Sequence, residues 1–333
     1  MTKIKFLIPK GSLEKNTYQI LKEAGYVISG QERTYRPSIN DPKIVLKILR
    51  PQEIPIFVEE GIHDIGITGQ DWVRETNADI QILMNLEYGS VKLLLAIPEQ
   101  WRNINSFSQL LKKFSNDRKN LRITTEYLNT TVKYITTNST YIKLYGNTQP
   151  LVITPWWRKG ENSKVSVFLS FGATEAKPPE NADAIVDISE TGTTIEQNNL
   201  KPIECLSESQ AVLIVNKDAL KNPAKREKIY DILTLLKGVI DGRKKIHIFV
   251  NVKEENLNRI IDKLPALKGP TISPLSNKGW YSINAIIDRK DFHELLPTLR
   301  KLAQGLVVHE PRQILSLEEI AGEENGSETY SES

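Results

Sequence analysis

Short apolar runs and helical spacings take turns along this chain. Ile4 to Ile8 reads as a buried strand that Pro9-Lys10-Gly11-Ser12 breaks, after which Leu13, Thr17, Ile20, Leu21 and Ala24 recur at helical spacing. Ser12 is the expected N-cap of that helix and Gly25 its expected stop. Ile44 to Leu49 predicts a strand and Glu53 to Glu60 a helical segment ending at Gly61. Asp64-Ile65-Gly66-Ile67-Thr68 predicts a strand that enters the turn Gly69-Gln70-Asp71. Val91 to Ile97 and Leu121 to Thr125 read as further strands, the second followed by a helix to about Thr137. Strands alternating with helices imply a parallel or mixed α/β sheet whose ligands sit at loops leaving the strand ends.

The alternation fails from Tyr145 to Ser163, where Gly146, Pro150, Pro155, Trp156, Trp157 and Gly160 predict a surface excursion or flap. It resumes with strands at Val165 to Ser170, Ala184 to Ile188 and Ala211 to Val215, then a long helix from about Pro223 to Ile240. Asp241-Gly242-Arg243-Lys244-Lys245 reads as a charged hinge to a last domain. There, strands at Ile246 to Val252, Thr271 to Leu275, Trp280 to Ile287 and Leu306 to His309 enclose two helix faces. Leu257, Ile260, Ile261 and Leu264 make the first face, and Phe292, Leu295, Leu296, Leu299 and Leu302 the second. The order βαββαβ is that of a ferredoxin-like sandwich.

The 333 residues, 39% of them apolar, suffice for about two domains and exclude a wholly disordered chain. Basic residues number 44 against 41 acidic ones, too even a balance for a dedicated nucleic-acid binder. Six of the acids and none of the bases lie from Ser316 onward, which leaves +9 on residues 1–315 and −6 on a tail expected to be disordered. A mildly basic body suits anionic small substrates, although a solvated lysine-rich surface gives the same sum. A single cysteine, Cys205, excludes an internal disulfide and fits a reducing compartment, so the expectation is a cytoplasmic protein. No stretch has the length of a signal h-region or a membrane span.

The most informative stretch is Asp183-Ala184-Ile185-Val186-Asp187-Ile188-Ser189-Glu190-Thr191-Gly192-Thr193-Thr194-Ile195. A buried strand ends in a carboxylate, and the turn after it offers backbone N–H groups, three threonine hydroxyls and a glycine. Those are the parts of a phosphate cradle. Asp187 and Glu190 repel phosphate, so beside such a cradle they suit ribose hydroxyls or a metal that itself carries phosphate. The pattern alone serves equally as a strand, turn and helix cap without a ligand.

This segment resembles the phosphoribosyl pyrophosphate loop of the ATP phosphoribosyltransferases, which start histidine biosynthesis. Ile8-Pro9-Lys10-Gly11-Ser12-Leu13 resembles that family's opening loop and Leu49-Arg50-Pro51-Gln52-Glu53-Ile54-Pro55 its arginine segment. Gly61-Ile62-His63-Asp64-Ile65-Gly66-Ile67-Thr68-Gly69-Gln70-Asp71-Trp72-Val73 is similar to its central signature, and Tyr88-Gly89-Ser90-Val91-Lys92-Leu93 fits as well. Leu264-Pro265-Ala266-Leu267-Lys268-Gly269-Pro270-Thr271-Ile272-Ser273-Pro274-Leu275 resembles part of the regulatory module of the long form. Two departures stand out. Ser12 replaces an arginine usual in the opening loop, and the excursion from Tyr145 to Ser163 exceeds the usual connection. Its tryptophans suit a lid over adenine or an aromatic tuck onto the body.

The resemblance implies a two-lobed catalytic part like the type II periplasmic binding proteins, followed by a ferredoxin-like, ACT-like regulatory domain. Residues 1–90 and 205–244 would form one lobe, 91–204 the second, 245–315 the regulatory domain and 316–333 the tail. It implies transfer of phosphoribosyl from phosphoribosyl pyrophosphate to N1 of ATP with release of pyrophosphate, magnesium as cofactor, inhibition by histidine, and a hexamer interconverting with a dimer. Thr191, Gly192, Thr193 and Thr194 would hold the ribose 5-phosphate, with Asp187 and Glu190 on the ribose or its metal. Lys10, Gly11 and Arg50 are candidates for the pyrophosphate and triphosphate, so Asp187, Glu190, Lys10 and Arg50 form the candidate catalytic set. Gly69 and Asp71 would line the nucleotide side, and Asn251, Leu267 and Thr271 the histidine site.

Each has a plainer alternative, since lone Lys10 or Arg50 suits solvated surface and Asp71 a helix cap. His63, His247, His293 and His309 lack metal-ligand spacing, and neither a Walker loop nor a dinucleotide fingerprint is present. Two other classes fit the expected lobes: a binding or sensing protein without chemistry, and a porphobilinogen deaminase, which would need Cys205 to anchor its cofactor.

Overall fold

The computed structural model of the protein describes residues 2–30, 34–264, 269–315 and 317. It opens with β1 (Ile4–Pro9), helix α1 (Glu14–Glu23), the short β2 (Ile28–Ser29) and β3 (Ser38–Ile39), and β4 (Ile44–Leu49). Helix α2 (Ile54–Glu59), β5 (Ile65–Gly69), α3 (Gln70–Thr76) and β6 (Gln81–Asn85) follow. A second series begins with β7 (Val91–Pro98), α4 (Phe107–Asn116), β8 (Leu121–Thr125), α5 (Leu128–Thr137) and α6 (Ser139–Tyr145). It continues through β9 (Pro150–Ile153), β10 (Arg158–Lys159), β11 (Asn162–Leu169), β12 (Ala184–Ser189), α7 (Thr193–Gln197) and β13 (Leu200–Ser209). The chain then returns with β14 (Ala211–Val215), α8 (Lys217–Lys221) and the long α9 (Pro223–Lys244). The last series is β15 (Lys245–Lys253), α10 (Glu254–Ile261), β16 (Thr271–Pro274), β17 (Trp280–Asp288), α11 (Phe292–Leu302) and β18 (Ala303–His309).

The first sheet runs β4-β1-β5-β14-β6, with β1 parallel to β4 and β5, and β14 antiparallel to both neighbours. The second runs β10-β9-β11-β8-β12-β7-β13, in which β9, β11, β8 and β12 are parallel. Parallel strands bring their C-terminal ends to one edge, so Lys10, Arg50 and Gln70 leave one end of the first sheet. Glu126, Ser170 and Glu190 likewise leave one end of the second. Thr17, Ile20 and Leu21 of α1 fall on one buried helix face, and Ile20 and Leu21 share a core with Ile229, Ile232, Leu236 and Val239 of α9. The second sheet has its own core around Leu95, Phe107, Ile123, Tyr127 and Val167. Trp72 of α3 joins that core, which docks the first series onto the second.

The third sheet has the order β16-β17-β15-β18 with antiparallel pairs throughout, the topology expected of βαββαβ. Ile246, Ile248, Val250 and Val252 alternate inward beneath α10 and α11 and meet Ile260, Leu295 and Leu299.

Several local expectations change. Helix α1 is capped at Leu13 without a side-chain bond, so Ser12 does not serve as N-cap; the Gly11 N–H donates to Glu14 Oε2 at 3.2 Å. The stretch 145–163 is largely structured: β9 and β10 form a hairpin that extends the second sheet, with Thr154 bonding the Trp157 backbone at the tip. The expected hinge at 241–245 is helical to Lys244 and runs directly into β15. Gly242 is buried there against the backbone of Pro311 to Gln313, where a Cβ would meet atoms at 3.1–3.2 Å. Smallness, not flexibility, explains that glycine. The tail from 318 onward, like Leu267, lies outside the described residues. No helix among the described residues is long and apolar enough to cross a membrane.

Candidate functional site

The two sheets meet around a cavity of about 290 Å³ lined by Gln70, Ser90, Lys92, Glu190, Glu208 and Gln210. Gln70 follows the end of β5 and Glu190 the end of β12; Lys92 lies near the start of β7, Glu208 near the end of β13, and Ser90 and Gln210 in the connections that cross between the sheets. The Gln70 N–H donates to Gln210 O at 2.9 Å, which closes the floor.

Beside that floor, Asp71 is only 5% exposed. Its Oδ1 accepts from Ser209 Oγ at 2.7 Å and its Oδ2 from the Tyr127 hydroxyl at 2.7 Å, so one carboxylate ties α3 to β13 and to the loop before α5. Burial, then the Asp71 charge and hydrogen bond, hold the Tyr127 phenol far above its usual range. Tyr127 stacks on Trp72 at 4.5 Å between ring centroids. Gly69 has a steric reason: a Cβ there would sit 2.1 Å from Asp71 Oδ1. One turn on, Glu75 accepts from the backbone N–H groups of Asn129 and Thr130 at 2.8 and 2.9 Å, capping the start of α5. Burial nevertheless raises its carboxyl above the usual range.

Lys10, Gly11 and Arg50 come together at the ends of β1 and β4. Gly11 has φ +96°, and a Cβ on it would lie 3.7 Å from Arg50 Nη1. Lys10 Nζ sits 4.6 Å over the Tyr35 ring and 3.3 Å from its hydroxyl. Thr68 Oγ1 holds the arginine segment by donating to Pro51 O at 2.7 Å.

At the end of the second sheet, burial pushes the Asp187 carboxyl up to about 6, and the charges of Glu126 and Glu175 add to that rise. The Ile188 N–H at 2.8 Å and Thr174 act in the other direction by donating to Asp187. Thr174 bonds Ser170 at 2.9 Å, and Lys177 Nζ reaches the same Ser170 hydroxyl. The turn from Glu190 to Thr194 is exposed, with Gly192 at φ +87° and its N–H donated to Ser189 Oγ at 2.8 Å. Thr191 and Thr193 hydroxyls bond each other at 2.8 Å.

Glu190 and Gln70 thus line one cavity while Gly69 and Asp71 stand behind its wall, Lys10, Gly11 and Arg50 form a cationic cluster, and Asp187 sits within an acidic one. Asn251 and Thr271 lie on the open face of the third sheet, opposite Gly305 and Asn284 respectively. Sequence reasoning missed Tyr127, Ser209 and Gln70, and also Glu126, which leaves the end of β8 as Asp187 stands near the end of β12. A carboxylate just past a buried strand was the available signal for Glu126. Among the described residues no three Asp, Glu, His or Cys side chains converge as metal ligands.

A family model described as "HisG: ATP phosphoribosyltransferase" matches residues 50–238, and one described as "HisG, C-terminal domain" matches residues 242–310. The ATP phosphoribosyltransferase of Chlorobaculum parvum is 36% identical over 318 residues, 94% of this chain and 97% of that one. That of Solibacter usitatus is 37% identical over 313 residues, 92% of this chain and 97% of its own. A solved chain titled "ATP phosphoribosyl transferase (HisG:HisZ) complex from Thermotoga maritima" superposes with a TM-score of 0.53 at 25% identity. It covers 70% of this chain and 96% of its own.

Proposed function

The chain belongs to the ATP phosphoribosyltransferase family, enzymes of the first step of histidine biosynthesis, and from that premise we propose how its residues divide the work. The reaction joins N1 of the ATP adenine to C1 of the ribose in phosphoribosyl pyrophosphate while the bond from C1 to pyrophosphate breaks. Adenine N1 already carries a lone pair, so the protein's task is to align two polyanions and stabilise the departing charge.

Thr191, Gly192, Thr193 and Thr194 hold the ribose 5-phosphate through hydroxyls and backbone N–H groups, and Asp187 and Glu190 accept from the ribose hydroxyls. Lys10, Gly11 and Arg50 receive the phosphate chains, where two cations within one cluster offset their charge. Gly69 leaves room for Asp71, which shapes the nucleotide side through Ser209 and Tyr127. Asp187 and Glu190, as hard oxygen donors, would help hold a magnesium ion carried by the pyrophosphate, which would offset the charge of the leaving group. The proposed division keeps residues 1–90 as part of the first lobe and an ACT-like C-terminal domain, but moves the return from the second lobe from 204/205 to after Ser209, because β13 pairs with β7 in the second sheet; it suits a cleft like that of type II periplasmic binding proteins. Histidine would act between copies of the C-terminal domain, with Asn251 and Thr271 on its open face, in a hexamer that exchanges with a dimer.

The observation that carries this reading is the cavity where Glu190 at the end of β12 meets Gln70 at the end of β5. The test follows product nucleotide and pyrophosphate together from ATP, phosphoribosyl pyrophosphate and magnesium, with and without histidine. Equal amounts of both products, suppressed by histidine, are expected. Product insensitive to histidine overturns the regulatory part, and binding of both substrates without pyrophosphate release overturns the assignment of these residues to catalysis.

A further inference from the structure

The first sheet carries a second cationic cavity, on its β1–β4 side. It has a volume of about 530 Å³ and is lined by Lys3 and Lys5 of the β1 region, Lys47 of β4, Arg36 and His63. Lys5 and Lys10 are five residues apart on an extended chain, roughly 16 Å at the usual strand rise, so the Lys3, Lys5 and His63 end of this cavity lies away from the substrate cluster, whereas Arg36 follows Tyr35, on which Lys10 rests. Val45 and Ile62 add apolar wall, and Ile62 is 49% exposed.

Two features distinguish this place from ordinary lysine-rich surface. None of the four cationic side chains has a hydrogen bond or ion pair with a described residue, and the neighbouring carboxylate is already engaged. Asp64 accepts from Lys225 Nζ at 2.6 Å and from the Lys5 N–H at 2.8 Å. The second feature is His63, which lines the cavity while only 8% exposed and whose Nδ1 has no hydrogen-bond partner among the described residues. Its backbone N–H donates to Phe57 O at 3.0 Å and its ring stands edge-on to Phe57. That nitrogen is itself closed to solvent, so a ligand in the cavity acts on the charge of the ring rather than by bonding Nδ1.

We propose that this cavity binds a small organic phosphate dianion, with the phosphate on Lys5, Lys47 and Arg36 beside the His63 ring and the apolar part on Val45 and Ile62. A dianion matches several cations that no described residue compensates, and a volume of this size accommodates an organic body beside the phosphate. The electrostatics agree. Burial first, then Lys47 and Lys5 against a small opposing effect of Asp64, and then Arg36, push His63 down to about 4. A bound dianion cancels the repulsion from the three cations and restores part of the imidazole's basicity.

Hydrogen–deuterium exchange at histidine C2, read peptide by peptide by mass spectrometry across pH, follows His63 in the full chain whatever its oligomeric state. Phenyl phosphate is the probe, with inorganic phosphate in a parallel arm. Saturating phenyl phosphate is expected to raise the His63 midpoint by about one pH unit, a roughly tenfold preference for the protonated ring. Lys5→Gln with Lys47→Gln is expected to weaken that response at least tenfold while both substrate Michaelis constants stay unchanged. Arg50→Gln is expected to leave the His63 response intact, which separates this site from the substrate cluster. No movement of the His63 midpoint at about 10 mM phenyl phosphate, a very weak affinity, overturns the site. An equal response in the double lysine variant also overturns it, and an equal response to inorganic phosphate overturns the organic specificity.

Discussion

Replacing Tyr127 by phenylalanine isolates the bond that ties the two sheets together. The ring is 1% exposed and stacked on Trp72, and both features survive in phenylalanine. What is lost is the hydroxyl donated at 2.7 Å to Asp71 Oδ2, an oxygen in a group only 5% exposed. A hydrogen bond to a charged acceptor contributes about 1.5–3 kcal/mol, and a buried carboxylate oxygen that loses its donor sits at the upper part of that range. The Asp71 Oδ1 bond to Ser209 at 2.7 Å remains and prevents a larger loss. Tyr127→Phe should therefore lower the unfolding free energy of the catalytic part by about 2.5 kcal/mol in urea titration. Because the Tyr127 phenol stays protonated far above its usual range, the loss should be the same from pH 6 to 9. Asp71→Asn combined with Tyr127→Phe should cost clearly less than the sum of the two single changes. A loss below about 0.5 kcal/mol, the ordinary scatter of neutral substitutions, or strict additivity in the double variant would refute the reasoning.

Three further outcomes follow from the same geometry. Folding raises the Asp187 pKa to about 6, so the native state favours its protonated form: this carboxyl's contribution to stability falls as pH rises from about 4 to 6, and Asp187→Asn should flatten that part of a stability profile. The proposed role for the ionised form also requires the Michaelis constant for phosphoribosyl pyrophosphate to rise below pH 6, and a profile unchanged in Asp187→Asn would exclude it. Gly66→Ala places a Cβ 2.5 Å from Ile54 Cγ2 and 3.2 Å from Val58 Cγ2, so α2 must shift; a loss of about 1–3 kcal/mol in thermal unfolding is expected. Ser12→Arg should change either Michaelis constant less than about threefold because Arg50 already stands beside Gly11, whereas Arg50→Gln should raise at least one by about tenfold.

Much of the fold was legible because buried strands such as Ile65–Gly69 and Ala211–Val215 are continuous apolar runs. β13 was not. Pro202 interrupts it, and register shifts at Pro202/Glu204 and Cys205/Ser207 destroy the alternation that marks a strand. The β9–β10 hairpin hid behind Pro155 and Gly160 because an edge pair needs no apolar repeat of its own. Gly242 suggested a hinge, but the segment from Pro311 to Gln313 packs against it and the helix continues. At the site, a strand ending in Asp187 and a Gly-Thr turn could be read locally, whereas the partners of Asp71 lie 56 and 138 residues away. That contact comes from tertiary packing, to which no local pattern refers.

The division of labour between the two sheets is tested most directly by the Michaelis constants of a turn variant. Thr194→Val removes a hydroxyl from the proposed phosphate cradle while leaving an exposed position of similar shape. Loss of one hydrogen bond to a phosphate, about 1.4 kcal/mol, corresponds to a tenfold change. The account predicts that the constant for phosphoribosyl pyrophosphate rises about tenfold while that for ATP moves less than twofold. A rise in the ATP constant with the other unchanged would contradict it.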